Sequence, residues 1–239
     1  MRLGMMQPYF FPYPGYFGLI HATDQWVVFD TAQYIRRGWV NRNRILSTGG
    51  RPWKYIRVPV RSCPPKTRIR NILIDDRQNW RQQLLNDLDA YRLARAPRYP
   101  EVRSFLMDVL DVQTESLCEL LVHTLNACCD RMGLTFNHRT FSDCNIACPQ
   151  AMQPGDWALH TAAQLNAETY VNPPGGRNLF DETAFCQRGV QLKILEPELP
   201  AYPQGGDVFQ PGLSIIDAFM WNDPTAVLQM IGEYQLLAA

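Results

Sequence analysis

Two short apolar runs near the N-terminus, Arg2 to Gln7 and Trp26-Val27-Val28-Phe29, restrict the fold more than any other feature of the chain. The first ends at a proline, as a buried strand does on entering a loop, and the second is β-prone and too short for a helix. Between them, Gly15 to Asp24 carries Phe17, Leu19, Ile20 and Ala22 behind the Pro14-Gly15 turn, the pattern of a short helix. Strand, helix and strand within about thirty residues make a βαβ unit, which crosses over right-handedly and leaves ligand sites at the carboxyl ends of its strands.

The rest of the chain extends this start. A polar and aromatic insertion from Thr31 to Arg51 precedes Trp53 to Val60, whose alternation predicts a half-exposed strand, and Ile69 to Ile74 predicts another. Helical spacing then runs from Arg77 to Leu93 (Trp80, Leu84, Leu85, Leu88, Tyr91), from Tyr99 to Leu110 and from Thr114 to Met132. Strand and helix alternate again: a helix at Asp156 to Leu165, a strand at Thr169 to Val171, a loop at Pro173-Pro174-Gly175-Gly176, a helix at Phe180 to Gln187 capped by Asp181 or its neighbours, and a strand at Val190 to Leu195. Pro197 to Pro211 reads as a long surface connection, and Ser214 to Trp221 and Thr225 to Leu236 as closing helices. The expected architecture is α/β, a Rossmann-like parallel sheet flanked by helices with a helical insertion. Residues 1–75 and 151–239 supply the α/β part and residues 76–150 the helices.

Bulk properties remove several function classes. Twenty-three Lys and Arg balance twenty-three Asp and Glu, so the total charge indicates no general attraction to nucleic acid or an anionic membrane and leaves only local basic patches open. No apolar run approaches the roughly 18 residues of a membrane span. Seven cysteines with no CxxC pair predict free thiols, a reducing compartment and a cytoplasmic protein. No HExxH, paired CxxC or carboxylate cluster suggests a metal. Small apolar use is the default for these cysteines, although Cys144 or Cys148 beside His160 would make a thiol-dependent acyltransferase that accepts carrier-protein thioesters.

The density of aromatics, amides and arginines in the first 45 residues exceeds what a core needs. Gln7, Asn41 and Asn43 are amides set among rings, and buried amides demand partners, so they and Tyr13, Tyr16, Gln33, Tyr34 and Trp39 are expected to bind substrate hydroxyls or bases. Arg42 and Arg44 suit bidentate grip of a phosphate or carboxylate. Asp30, at a strand end, is the expected catalytic carboxylate that orients or deprotonates an amine, and Arg42 is expected to act in catalysis by holding the activated group's phosphate. Gly15 at a helix N-terminus and the Gly175-Gly176 pair would admit a cofactor's phosphates. Tyr202 and Gln204 lie in a proline-rich loop placed to fold over the site. Plainer alternatives stand beside each: aromatic packing around a proline-rich turn, a turn capped by Asp30, arginines on a solvated loop, an ordinary turn at the glycine pair.

These segments resemble a known family. Gln7-Pro8-Tyr9-Phe10-Phe11-Pro12-Tyr13 with Gly15-Tyr16-Phe17, Asp30 with Gln33-Tyr34, Trp39-x-Asn41-Arg42-Asn43-x-Ile45, Tyr170 with Gly175-Gly176, and Tyr202-Pro203-Gln204 with Ser214-Ile215-Ile216-Asp217 are similar to the WbqC-like family, over nearly the whole chain. The resemblance implies a setting in surface-polysaccharide amino-sugar or secondary-metabolite biosynthesis. One departure is Asn172-Pro173, where that family tends to have Ser-Gly. Tyr13-Pro14-Gly15-Tyr16 also has the spacing of the H-x-G-H element of HUP-superfamily enzymes such as pantothenate synthetase, which form adenylates. That second likeness implies ATP as a cofactor, although tyrosine cannot supply the imidazolium charge. The resulting expectation is an enzyme joining an acyl or aminoacyl group to a small amine, through an acyl-adenylate. The alternatives are a non-catalytic sugar or nucleotide-sugar binding protein and the thiol acyltransferase. An accessible acid or base beside the amide and aromatic cluster would separate the first two.

Overall fold

The computed structural model describes residues 1–149 and 152–239, so the boundary expected between 150 and 151 lies outside the described residues. The opening βαβ unit is present as β1 (Arg2–Met6), α1 (Pro14–His21) and β2 (Gln25–Val28), with β1 and β2 parallel. A two-stranded antiparallel hairpin follows, β3 (Arg42–Leu46) and β4 (Trp53–Arg57). Four helices come next: α2 (Trp80–Asp87), α3 (Asp89–Leu93), α4 (Tyr99–Leu110) and α5 (Leu117–Met132). The remaining elements are β5 (His138–Thr140), α6 (Asp156–Gln164), β6 (Thr169–Asn172), α7 (Glu182–Gln187), β7 (Gln191–Pro197), α8 (Ile215–Trp221), α9 (Pro224–Ile231) and β8 (Tyr234–Ala238).

The main sheet runs β5-β2-β1-β6-β7-β8, parallel throughout except for β8, which pairs antiparallel with β7. The chain therefore winds outward from β1 to β5 and then from β6 to β8, and the direction of winding reverses between β1 and β6. Both faces are covered, as parallel strands require. Leu3, Met5 and Val27 point toward Ala158, Ala162 and Phe185 of α6 and α7, whereas Trp26 and Val28 join the larger core of α1, α5, α8 and α9.

Local signals placed most of these elements. Helix α5 is capped by Ser116, which accepts the Glu119 N–H, and stops at Gly133 in the left-handed region; its buried stripe includes both Cys128 and Cys129. Of Asp181 and its neighbours, Asp181 caps α7, accepting the Thr183 and Ala184 N–H groups. Four expectations need correction. Residues Ile69 to Ile74 form a short 3-10 turn (Ile69–Asn71) and isolated bridges instead of a strand. The helix read across Arg77 to Leu93 divides at Leu88, whose N–H turns back to the Leu85 carbonyl. The expected helical region contains β5, whose three polar residues carry no apolar pattern and which exists through pairing with β2. The last helix ends at Ile231, and Tyr234–Ala238 is a strand because the open edge of β7 offers hydrogen bonds that outweigh a helical composition.

Candidate functional site

The loop after β1 is where the distant motifs meet. Pro8, Pro12 and Pro14 fix the backbone, Phe10 and Phe11 turn fully inward, and Phe11 is held at φ 41°, a left-handed conformation costly for an aromatic residue. The surrounding structure over-determines it. Asn43 Nδ2 donates to the carbonyls of Phe10 (3.2 Å) and Phe11 (2.9 Å), and Ser214 Oγ donates to the Phe11 carbonyl (2.7 Å). The Phe10 N–H bonds the Val40 carbonyl and the Ile215 N–H bonds the Pro12 carbonyl. Tyr9 and Tyr13 are left on the outer side, half-buried, with burial raising both phenols above their ordinary range.

A hollow of about 270 Å³ opens there, lined by Tyr9, Tyr13, Trp39, Asn43, Arg44 and Gly212. Space for about nine waters puts it just under the usual size of small-ligand sites. The Arg44 guanidinium lies 5.4 Å from the Trp39 ring and 5.2 Å from the Trp53 ring and donates through Nη2 to the Gly212 carbonyl (2.9 Å). Its Nε–H is buried without a hydrogen-bond partner among the described residues. Gly15 serves Tyr13 directly, because a Cβ there would lie 2.4 Å from the Tyr13 ring. The ring thus covers the helix position that had been assigned to cofactor phosphates.

The other expected site residues divide by what already holds them. Asp30 is buried, and Ser142 occupies both its oxygens, Oδ1 through the backbone N–H (3.0 Å) and Oδ2 through Oγ (2.6 Å). It caps a turn, but one 112 residues away and away from the hollow. Arg42 stacks on Tyr55 at 4.2 Å and donates to the carbonyls of Gly38 (3.0 Å) and Arg37. Asn41 Nδ2 holds the Val58 carbonyl at 2.8 Å. Tyr16 is buried, its hydroxyl donates to the Gln7 carbonyl at 3.0 Å, and burial drives its pKa far upward. Gln7 stands at the carboxyl end of β1, and Gly175 and Gly176 lie in the 3-10 turn Pro174–Leu179 after β6, at the reversal of the sheet rather than in the hollow. Gln33 is exposed and bridges to Arg68, whereas Tyr34 is buried.

Tyr202 and Gln204 converge on Asp217 of α8. This fully buried carboxylate accepts Tyr91 Oη at 2.9 Å, Tyr202 Oη at 2.6 Å and Gln204 Nε2 at 2.6 Å, and pairs with no cation among the described residues. Burial pushes its pKa up against the pull of those three donors. Tyr91 Oη also accepts the Leu46 N–H, so the network pins the loop before α8 to β3. These motif residues are scaffolding for the hollow.

Reasoning from sequence did not single out Trp53, Tyr55, Arg57 or Gly212. The hairpin register brings the first three to one face: Arg42 opposite Arg57, Arg44 opposite Tyr55, and Leu46 opposite Trp53. The alternation of β4 was a usable signal; its pairing with residues 42–46 was not. A larger groove of about 810 Å³ runs between this hairpin and α2, with Asn41, Tyr55, Arg57, Gln83 and Asp87 on its walls. For the thiol alternative, His160 Nε2 is bonded to the Ala147 carbonyl at 2.8 Å. Cys144 and Cys148 direct their thiols to the carbonyls of Thr140 and Ile146. Burial also raises the Cys144 thiol, the wrong direction for a nucleophile.

Fold and site together define an α/β protein with a largely parallel sheet and a loop-built, aromatic and arginine-lined hollow beside its first βα turn. The chain belongs to the WbqC-like protein family, whose profile matches residues 7–229. It is similar to uncharacterized protein Rv1507c of Mycobacterium tuberculosis (strain ATCC 25618 / H37Rv), 27% identical over 218 residues that cover 90% of this chain and 91% of that one. No solved structure matches it. Among the described residues no helix is long and apolar enough to cross a membrane.

Proposed function

We propose that this chain binds a small, ring-bearing anion, a nucleotide sugar or phosphorylated aminosugar, in surface-polysaccharide or secondary-metabolite biosynthesis. Tyr9, Tyr13 and Trp39 present faces and edges to a sugar or base, and Arg44 supplies charge. The observation that carries the reading is the hollow itself, where Arg44, with its guanidinium 5.4 Å from the Trp39 ring, lines the same space as Tyr9 and Tyr13. The occupied oxygens of Asp30 favour binding over acid or base catalysis at this place.

The second reading is an amide-forming enzyme that joins an acyl or aminoacyl group to a small amine through an acyl-adenylate, with ATP as cofactor. It draws support from the reversal of strand order between β1 and β6, the place where Rossmann-like and HUP-type sheets hold nucleotides, and from Gln7 and the Gly175-Gly176 turn beside it. A reducing, cytoplasmic setting suits the seven free cysteines in either reading.

A thermal-shift screen with nucleotide sugars, aminosugar phosphates, ATP and amino acids tests both. A ligand at 100 times its Kd adds about 2.7 kcal/mol, a rise of several degrees. The binding reading expects a nucleotide sugar or sugar phosphate to raise Tm, and Gly15→Ala, which displaces the Tyr13 ring, to abolish the rise. A shift with ATP alone that survives Gly15→Ala transfers the site to the reversal point. Silence from every phosphate-bearing compound defeats both proposals.

A further inference from the structure

The neutral total hides a segregation of charge. Eleven of the 23 Lys and Arg, and none of the 23 Asp and Glu, fall between residues 31 and 74. Lys54 pairs with Asp87 and Arg61 with Glu115; among the described residues the other nine have no carboxylate within ion-pair distance. The β3–β4 hairpin sits in the middle of this stretch. Its inner face is buried through Asn43, Ile45 and Ile56, and its outer face carries Arg42, Arg44 and Arg57 interleaved with Trp53 and Tyr55. Trp39 joins this face, 6.3 Å from Tyr55, and Tyr55 stands 5.2 Å from Trp53; Trp39 and Tyr55 are 40% and 38% exposed.

Two observations suit this face to an anion. Arg42 and Arg57 are directly opposite across the strands, a like-charge pair that destabilises a hairpin unless something negative lies over it. Arg44 Nε is buried and unbonded on the same strand. The surplus of cations exceeds what the one or two phosphates of a sugar nucleotide would need. The rings supply what a plain polyanion site would not require, flat apolar faces between the charges. A membrane surface fits less well, because the hairpin tip, Ser47-Thr48-Gly49-Gly50-Arg51-Pro52, has no large apolar side chain to insert.

We propose that the outer face of the β3–β4 hairpin binds a single-stranded nucleic acid, its phosphates over Arg42, Arg44 and Arg57 and its bases stacked on the sides of the Tyr55, Trp39 and Trp53 rings away from Arg42 and Arg44. Stacking is tolerant of sequence and needs only unpaired bases. The proposal goes beyond the small-ligand reading and stands without it, since Tyr55 and Arg57 do not line the small hollow.

The test is fluorescence anisotropy with labelled single strands of about a dozen nucleotides, RNA and DNA of one mixed sequence, at about 50 mM salt. Three phosphate contacts give a log–log salt slope near −2, a loss of affinity of roughly twentyfold on going to about 200 mM. Tyr55→Ala is expected to weaken binding at least about fivefold, and Arg57→Gln to flatten the slope by about 0.7. Both positions are exposed, and unchanged thermal melts would confirm that each variant folds. A preference for RNA or for DNA identifies the source of the strand and supports the proposal either way. It is overturned by no anisotropy change at about 50 μM protein, by heparin binding as tightly with Tyr55→Ala without effect, or by anionic vesicles displacing the oligonucleotide. The nucleotide-sugar thermal shift, read on the same variants, should persist, which separates failure of this inference from failure of the small-ligand reading.

Discussion

Asn43 is the residue whose removal should report most directly on how the site is built. Its amide is 4% exposed and makes three hydrogen bonds: Nδ2 to the carbonyls of Phe10 and Phe11, and Oδ1 from the Arg44 N–H. At about 1 kcal/mol net each, the bonds predict a loss of about 3 kcal/mol for Asn43→Ala. The Phe11 carbonyl keeps its bond from Ser214 Oγ, so the strained loop stays folded in the single variant. Ser214→Ala alone likewise leaves Phe11 one partner, but the double variant orphans a buried carbonyl at a left-handed aromatic residue. The two losses should therefore exceed additivity by about 1 kcal/mol or more. For 239 residues the entropy of unfolding makes each kcal/mol worth about 2 °C, so Asn43→Ala should lower Tm by about 6 °C and the double variant by more than both singles together. Urea unfolding of the four proteins gives the cycle directly. A cost below about 1 kcal/mol for Asn43→Ala, or strict additivity with Ser214→Ala, would refute the clamp.

Two further outcomes follow from the buried groups. Because burial raises the folded-state pKa of Asp217 above the ordinary 3.8, the unfolded chain loses that proton first as pH rises. Stability should therefore be full below that value and fall as pH climbs through the folded pKa, and Asp217→Asn should remove this slope in unfolding measurements across the acid range; an unchanged slope refutes the assignment. Cys118, pushed by burial to about 12, should resist iodoacetamide near pH 8 while exposed Cys148 and Cys186 are alkylated, and mass mapping that finds Cys118 labelled at their rate would refute its burial in the core.

How far the chain can be read without coordinates follows from the range of each interaction. The opening βαβ unit, α4, α5, β6 and β7 were legible because an apolar period or a cap lies within the element itself, as Ser116 does for α5 and Asp181 for α7. β5 and β8 were not, since a polar tripeptide and a helix-prone tail become strands only when an open edge pairs with them. The motifs identified the family, and Tyr13, Trp39, Asn43 and Arg44 among their residues line the small hollow. Residue type could not tell which of their neighbours face a ligand.

That division was made by tertiary contacts. Asp30 met Ser142, Tyr202 and Gln204 met Asp217, and Asn43 met the carbonyls of Phe10 and Phe11, partners lying 13 to 112 residues apart. Local sequence determined periodicity, capping and the stiffness of the proline-rich loop, because those energies act within a few residues. Whether a polar side chain is spent on the scaffold or left without a partner, as Arg44 Nε is among the described residues, depends on which distant group the folded chain brings within about 3 Å of it.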